Sequence, residues 1–91
     1  MLRVTESIVE GKPVLRLEGR ISDAWLAEVV GVVESWERRA GESPPLLDLA
    51  GVSWMDRDGV RLLRRLIDLG APVRGASPFI RQLLTLEKSG G

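Results

Sequence analysis

Two residue types with versatile chemistry are absent from this chain, which contains no cysteine and no histidine among its 91 residues. The lack of cysteine excludes disulfides and thiol nucleophiles, and without either residue the usual zinc ligands are missing. The side chain that most often acts as a general base near neutral pH is missing too. Any catalysis would therefore depend on carboxylates, lysine or serine, and no histidine or suitably placed lysine is available to activate a serine.

An excess of charge of either sign is also absent, because 13 Lys and Arg residues balance 13 Asp and Glu residues. A neutral chain exerts no long-range attraction on nucleic acid or anionic lipid, so we expect neither as a partner. No apolar run approaches the ~20 residues needed to span a bilayer, and the start of the sequence lacks the pattern of a signal peptide. We therefore expect a cytoplasmic protein that does not insert into a membrane.

The remaining composition is that of an ordinary globular domain, with 44% hydrophobic and 29% charged residues. A chain of this length can bury one hydrophobic core but not two. We predict a single domain over residues 1–91, in which 86–91 form a flexible tail.

The first half of the chain predicts a hairpin followed by a helix. Residues 2–11 and 13–19 alternate in polarity around a turn composition, which indicates two strands. In residues 23–41 apolar side chains recur every three or four positions, which predicts an amphipathic helix capped by Ser22. Gly31 lies inside that helix at a cost of roughly 1 kcal/mol relative to Ala, and we attribute it to close packing against a neighbour.

The second half predicts two further strands and two further helices. The apolar run 46–52 is typical of a strand buried on both faces, and a helix follows from Asp56. A brief strand is expected around Val73, and Ser77 and Pro78 indicate the cap and first residue of a last helix. The order β-β-α-β-α-β-α predicts an α/β fold with a mixed sheet of about four strands and helices packed on it.

The turn between the third strand and the second helix reads WMDRDGV, from Trp54 to Val60. One hypothesis is purely structural: Asp56 caps the helix, and Asp58 in the first turn gains from the helix dipole. Capping does not explain Gly59, since glycine forms helix poorly unless a neighbouring backbone or a partner must approach closely.

A second hypothesis for the turn is enzymatic, because an apolar run followed by Asp-x-Asp-Gly resembles the nucleophile motif of the haloacid-dehalogenase phosphatases. That chemistry uses magnesium and also needs a phosphate-binding hydroxyl, a lysine and a second acidic pair on later strands. The 32 residues after Gly59 contain no adjacent Asp pair, and their only lysine is Lys88. We therefore favour a protein that is not an enzyme and needs no metal or other cofactor.

A third hypothesis comes from a family resemblance that covers the chain from about Pro13 to Leu86. The segment LLDLAGVSWMDRDGVRLL resembles the STAS domain family, whose pattern is an apolar strand ending Asp-Leu-x-x-Val, an aromatic residue, an apolar residue, then Asp-Ser-x-Gly or Asp-x-Ser-Gly and a helix. The positions that match are Asp48, Leu49, Gly51, Val52, Trp54, Asp56 and Gly59.

The resemblance implies a non-enzymatic regulator that acts in signalling and transcription regulation through protein contacts. Family members of the anti-sigma-factor antagonist type bind an anti-sigma factor that is also a serine kinase, and phosphorylation at this turn releases them. Here Asp58 occupies the position of the phosphorylatable Ser, so it either resembles a phosphorylated state or leaves the site unregulated. The implied partner-binding residues are Trp54, Asp56, Arg57, Asp58, Gly59 and Arg61. An accessory STAS subunit of a lipid or anion transporter is the alternative within the fold.

Two further features leave alternatives open. Arg57, Arg61, Arg64 and Arg65 give the second helix a basic side, which is either a solvated face or a docking face for an acidic partner. The helical spacing assigns Trp25 and Trp36 to the core. Trp54 is either core, which we favour, or an exposed anchor in the turn.

Overall fold

The structure is a computed structural model that describes residues 1–39 and 41–88. Its elements are β1 (Leu2–Val9), β2 (Lys12–Ile21), a 3₁₀ turn (Asp23–Trp25), α1 (Leu26–Glu37), β3 (Leu46–Met55), α2 (Arg57–Asp68), β4 (Val73–Arg74) and α3 (Pro78–Lys88). This order confirms the predicted α/β fold. The last helix continues through Lys88, further than predicted, and the rest of the predicted tail, 89–91, lies outside the described residues.

The four strands form one mixed sheet in the order β1-β2-β3-β4. β1 and β2 are antiparallel, whereas β2 pairs with β3 and β3 with β4 in parallel. The hairpin turn consists of Glu10 and Gly11, whose φ angles are both positive at 52° and 77°. A two-residue turn with this backbone conformation matches the twist of the strands it joins.

The core lies on one face of the sheet only. The inward side chains of the two inner strands are Leu15, Leu17, Ile21, Leu47, Leu49, Val52 and Met55. They form one cluster with buried residues of all three helices, so the helices cover the same side. The opposite side of the sheet, which we call the open face, carries Arg16, Arg20, Asp48, Trp54 and Arg74. Asp48 is half-buried, and the other four side chains are exposed. The expectation that β3 is buried on both faces is therefore wrong, because no helix covers the open face in the described part of the chain.

The first helix begins later than the sequence predicted. Its N-cap is Trp25, which makes no side-chain capping bond, and α-helix starts at Leu26. Ser22 contributes through its backbone carbonyl oxygen, which accepts the Trp25 N–H at 2.8 Å, so the predicted cap at Ser22 is wrong. Because a 3₁₀ turn has about three residues per turn, it rotates Trp25 out of the helical stripe. Trp25 is 40% exposed and lies outside the core.

The sequence also predicted the environments of Trp36 and Gly31 in α1, and the structure agrees with one of these predictions. Trp36 is buried, which confirms its predicted core position. Gly31 is exposed, and a Cβ built on it would meet nothing within 4 Å. The prediction that Gly31 permits close packing is therefore wrong, and nothing in the structure explains a glycine there.

The start of the third helix agrees with the sequence prediction. Pro78 is its first residue, and the Ser77 Oγ accepts the backbone N–H of Ile80 at 3.2 Å. Proline suits this position because its missing N–H would have had no intrahelical partner.

Candidate functional site

The turn that joins β3 to α2 is capped by Asp56. The backbone N–H of Gly59 donates to Asp56 Oδ1 at 2.8 Å, and the backbone of Asp56 is extended as an N-cap residue requires. The N–H of Val60 then donates to the Asp56 carbonyl oxygen at 3.0 Å and opens the helix. These bonds confirm the predicted capping role of Asp56.

The same turn is held against the end of β2. The backbone N–H of Asp56 donates to the Ile21 carbonyl oxygen at 3.0 Å. A Cβ at position 59 would lie 2.8 Å from Ile21 Cγ2 and 2.9 Å from that carbonyl oxygen, closer than carbon atoms pack. A close approach of the neighbouring strand therefore explains Gly59, which capping alone left unexplained.

On the helix side of the turn, Asp58 borders a groove between α1 and α2. The groove has a volume of about 310 Å³ and is lined by Leu26, Val30, Asp58, Arg61, Leu62 and Arg65. Asp58 is exposed in the first turn of α2, where a carboxylate interacts favourably with the helix dipole. The groove thus combines apolar walls with a rim that carries both signs of charge.

On the opposite side of the turn, Trp54 points to the open face. Its ring stacks on Phe79 from the start of α3, with the ring centroids 5.7 Å apart and the planes inclined by 23°. The Arg20 guanidinium carbon lies 5.8 Å from the Trp54 ring centroid. Trp54 is 37% exposed, so its favoured core position is wrong and the ring is exposed, as the alternative required.

The six predicted binding residues therefore do not form one continuous surface. Gly59 is buried and Asp56 holds the turn in place, so these two shape the site from within. Asp58 and Arg61 border the groove, whereas Trp54 belongs to the open face. Arg57, the first residue of α2, is exposed.

The basic side of α2 is partly neutralised within the fold. Arg64 pairs with Asp68 one turn later. Arg65 pairs with Glu37 at the end of α1 through two hydrogen bonds, of which the Nε to Oε2 bond measures 2.9 Å. The hydrogen bond to Arg65 lowers the pKa of the Glu37 carboxyl, and the same bond raises the pKa of Arg65. Arg64 is thus paired within α2, and Arg65 connects α2 to α1. Arg57 and Arg61 are exposed near the turn.

Sequence reasoning missed Phe79 and Arg20. Phe79 is 25 positions from Trp54 in the chain and follows a Ser-Pro helix start, where the sequence predicts only a cap. Arg20 lies directly opposite Trp54 in the β2–β3 register. No local pattern marks either residue, because their association depends on the pairing of strands and the placement of α3.

Within 1–39 and 41–88, no group of three or more acidic side chains is arranged so that it could hold a metal ion. In the same ranges, none of the helices has the length and apolar character required to cross a lipid bilayer.

Comparison with known proteins shows the fold. No protein-family profile matches the chain, and no curated protein sequence matches it. The chain is similar to the crystal structure of an antisigma-factor antagonist, a STAS domain from Rhodobacter sphaeroides, with a TM-score of 0.53 and 20% sequence identity. The match covers 85% of this chain and 92% of that one. The chain thus has the fold of a STAS domain, as the sequence resemblance implied.

Proposed function

We propose that this chain is a non-enzymatic regulatory module that binds a protein partner, as an anti-sigma-factor antagonist does. The observation that carries the proposal is the place of Asp58, which is exposed in the first turn of α2 at the rim of the α1–α2 groove. The STAS resemblance puts a phosphorylatable serine at this position. The partner of such a module is an anti-sigma factor with serine-kinase activity or a related regulator in the cytoplasm.

The proposed contact residues are the exposed members of the predicted set. Asp58 and Arg61 border the groove, Arg57 is the first residue of α2, and Trp54 lies on the opposite side of the turn. Asp56 and Gly59 contribute indirectly, because they fix the turn that presents the other four. The apolar walls of the groove would bury a partner side chain, and its charged rim would fix the orientation.

Asp58 changes how such a site is regulated. A carboxylate cannot form the phosphate ester that a serine hydroxyl forms, and it carries one negative charge where phosphoserine carries about −1.5 to −2. The interaction therefore does not depend on a kinase acting at this position. Asp58 either keeps the partner away permanently or is compatible with permanent binding, and these two states are separated by experiment.

The bonding of Asp56 supports a binding role over phosphatase chemistry. Its Oδ1 accepts the Gly59 N–H, so the carboxylate that the phosphatase motif would use as nucleophile stabilises the helix start instead. Magnesium-dependent hydrolysis of a phosphate ester by the purified chain, abolished in Asp56→Asn, would contradict the proposal.

The proposal is tested by affinity capture from a lysate of the source organism. The baits are the natural chain, Asp58→Ser and the control Asp68→Ser, which changes an exposed carboxylate at the far end of the same helix. Bound proteins are identified by mass spectrometry, and we expect a kinase-like anti-sigma factor on one or more baits. Capture by all three shows that Asp58 leaves the interaction unregulated, whereas capture by Asp58→Ser alone shows that Asp58 mimics phosphate.

Two results would overturn the anti-sigma-factor assignment. Capture of a transporter ATPase by the natural chain would support the accessory-subunit alternative instead. Capture of no regulatory protein by any bait, with all three chains folded by circular dichroism, would contradict a partner-binding role at this turn.

A further inference from the structure

Trp54, Phe79 and Arg20 form a continuous exposed cluster, which we call the aromatic surface. The two rings are stacked, yet Phe79 remains 46% exposed and Trp54 is also solvent-accessible. Single exposed apolar side chains are common on soluble proteins, but two large rings in contact from distant elements form an apolar patch of the kind found at interaction sites.

The exposure of both rings is imposed by the backbone. Met55, the neighbour of Trp54, fills the core at 1% exposure, and Ile80, the neighbour of Phe79, does so at 0%. Successive residues of a strand point to opposite faces, so Trp54 cannot enter the core while Met55 is there. Phe79 is likewise directed away from the core by the helical position of Ile80. The fold therefore holds the two rings outward.

Among the side chains that the structure describes, no carboxylate pairs with Arg20. Two other arginines of the open face are paired, Arg16 with Glu18 at 3.8 Å and Arg74 with Asp48 at 3.2 Å. The Arg20 guanidinium lies over the Trp54 ring instead, at 5.8 Å from its centroid. The aromatic surface thus combines an apolar patch with a cation that can still accept an acidic partner.

We infer that the aromatic surface binds a segment of a partner protein that presents an apolar side chain next to a carboxylate. The apolar side chain would pack on the exposed parts of Trp54 and Phe79, and the carboxylate would pair with the Arg20 guanidinium. This inference rests on the proposed function, in that it requires a protein partner. It adds a second contact on the opposite side of the turn from Asp58 and the groove.

Charge and geometry favour this occupant over two others. A second copy of the chain would bring a second Arg20 to the patch, and like charges at an interface are unfavourable. A nucleobase would have to stack on a ring, and the Trp54 ring already has Phe79 stacked on it and Arg20 over it. The chain also has no net positive charge to attract a phosphate backbone.

The inference is tested with a phage-displayed library of random peptides of about 12 residues selected on the full chain. We expect the enriched peptides to combine Asp or Glu with a large apolar residue. A synthetic copy of one enriched peptide is then titrated against the chain and its variants by fluorescence anisotropy. Phe79→Ser and Arg20→Gln are expected to weaken its binding about tenfold or more.

Matched controls separate this surface from other apolar and acidic positions. Leu69→Ser changes another exposed apolar residue, at the end of α2, and leaves the affinity unchanged. Asp58→Ser also leaves it unchanged, because Asp58 lies on the groove side. Peptide binding therefore succeeds or fails independently of the Asp58-dependent capture that tests the proposed function. Phe79→Leu serves as a milder variant if Phe79→Ser lowers the melting temperature.

Several outcomes would overturn the inference. These are a selection without enrichment, enriched peptides that lack acidic residues, and peptide affinity that is equal in the natural chain and the folded Phe79 variants. Binding of an oligothymidine strand that is lost in Phe79→Ser would assign the surface to nucleic acid. Concentration-dependent dimerisation lost in the same variant, measured by sedimentation, would assign it to a second copy.

Discussion

Gly59 at the start of α2 lies against Ile21 at the end of β2 so closely that no Cβ fits between them. A methyl group at position 59 would come 2.8 Å from Ile21 Cγ2 and 2.9 Å from the Ile21 carbonyl oxygen. The carbonyl oxygen is backbone and already accepts the Asp56 N–H, so it cannot move without loss of that bond. The contact couples the turn between β3 and α2 directly to the sheet.

We therefore expect Gly59→Ala to lower the free energy of unfolding by about 1–3 kcal/mol, the usual cost of overpacking. The gain in helix propensity from alanine, about 1 kcal/mol, offsets only part of this strain. Urea unfolding followed by circular dichroism measures the difference. If Gly59→Ala were as stable as the natural chain, β2 and α2 would have to move apart at little cost in free energy to admit the added methyl group.

Gly31→Ala is the matched substitution with the opposite expected sign. Gly31 also lies within a helix, but a Cβ there meets open space. Alanine reduces the conformational freedom of the unfolded chain and favours helix, so we expect a gain of about 0.5–1 kcal/mol in unfolding free energy. The same urea titration measures it, and a loss of stability would mean that position 31 makes a contact in solution.

Asp56→Ala removes the side chain that accepts the Gly59 N–H. Loss of an N-cap residue lowers stability by about 0.5–2 kcal/mol, and we expect a value in this range from urea unfolding. Asp56→Asn is the informative control, because asparagine is an equally good N-cap and offers a carbonyl oxygen in the same position. If both variants lost stability equally, the negative charge rather than the hydrogen bond would be the stabilising feature.

The pH dependence of stability should report on Asp48. The backbone N–H of Ala50 donates to Asp48 Oδ1 at 3.1 Å, and Arg74 donates to Oδ2 at 3.2 Å. The first bond, with help from Arg74, lowers the pKa of the Asp48 carboxyl below its usual value. Because the folded chain then binds fewer protons than the unfolded chain, this contribution is present above the unfolded pKa of about 3.9 and is lost as the pH falls through the lower, folded value.

Asp48→Asn is therefore expected to reduce the increase in unfolding free energy between about pH 3 and pH 5. Asparagine keeps an acceptor for the Ala50 N–H but not the charge that pairs with Arg74. Urea unfolding at a series of pH values measures the slope for both chains. An unchanged slope in this interval would show that other carboxylates account for the acid sensitivity.

The sequence was sufficient to predict the order of the elements and the N-caps of α2 and α3, because these depend on neighbours in the chain, but not the start of α1. Asp56, Ser77 and Pro78 act where their residue types indicated. The resemblance of the Asp48 to Gly59 segment to STAS domains also implied the correct fold.

The sides on which the tryptophans lie could not be predicted from spacing. Trp25 left the apolar stripe of α1 because the helix begins with a 3₁₀ turn, which helical periodicity does not detect. Trp54 lies on a face of β3 that would be core if helices covered both sides of the sheet. Whether they do is decided by the placement of whole helices, a property that no local pattern contains.

The hydrogen bond from the Asp56 N–H to the Ile21 carbonyl oxygen has a further consequence for recognition. With the Gly59 contact, it fixes the backbone of the turn before any partner arrives. A partner that docks there would order few backbone torsions, so little conformational entropy would be lost on association. The rigid backbone of the turn therefore fixes the orientation of its two sides relative to each other. A partner that contacts both sides must fit that orientation, because the turn does not rearrange on binding.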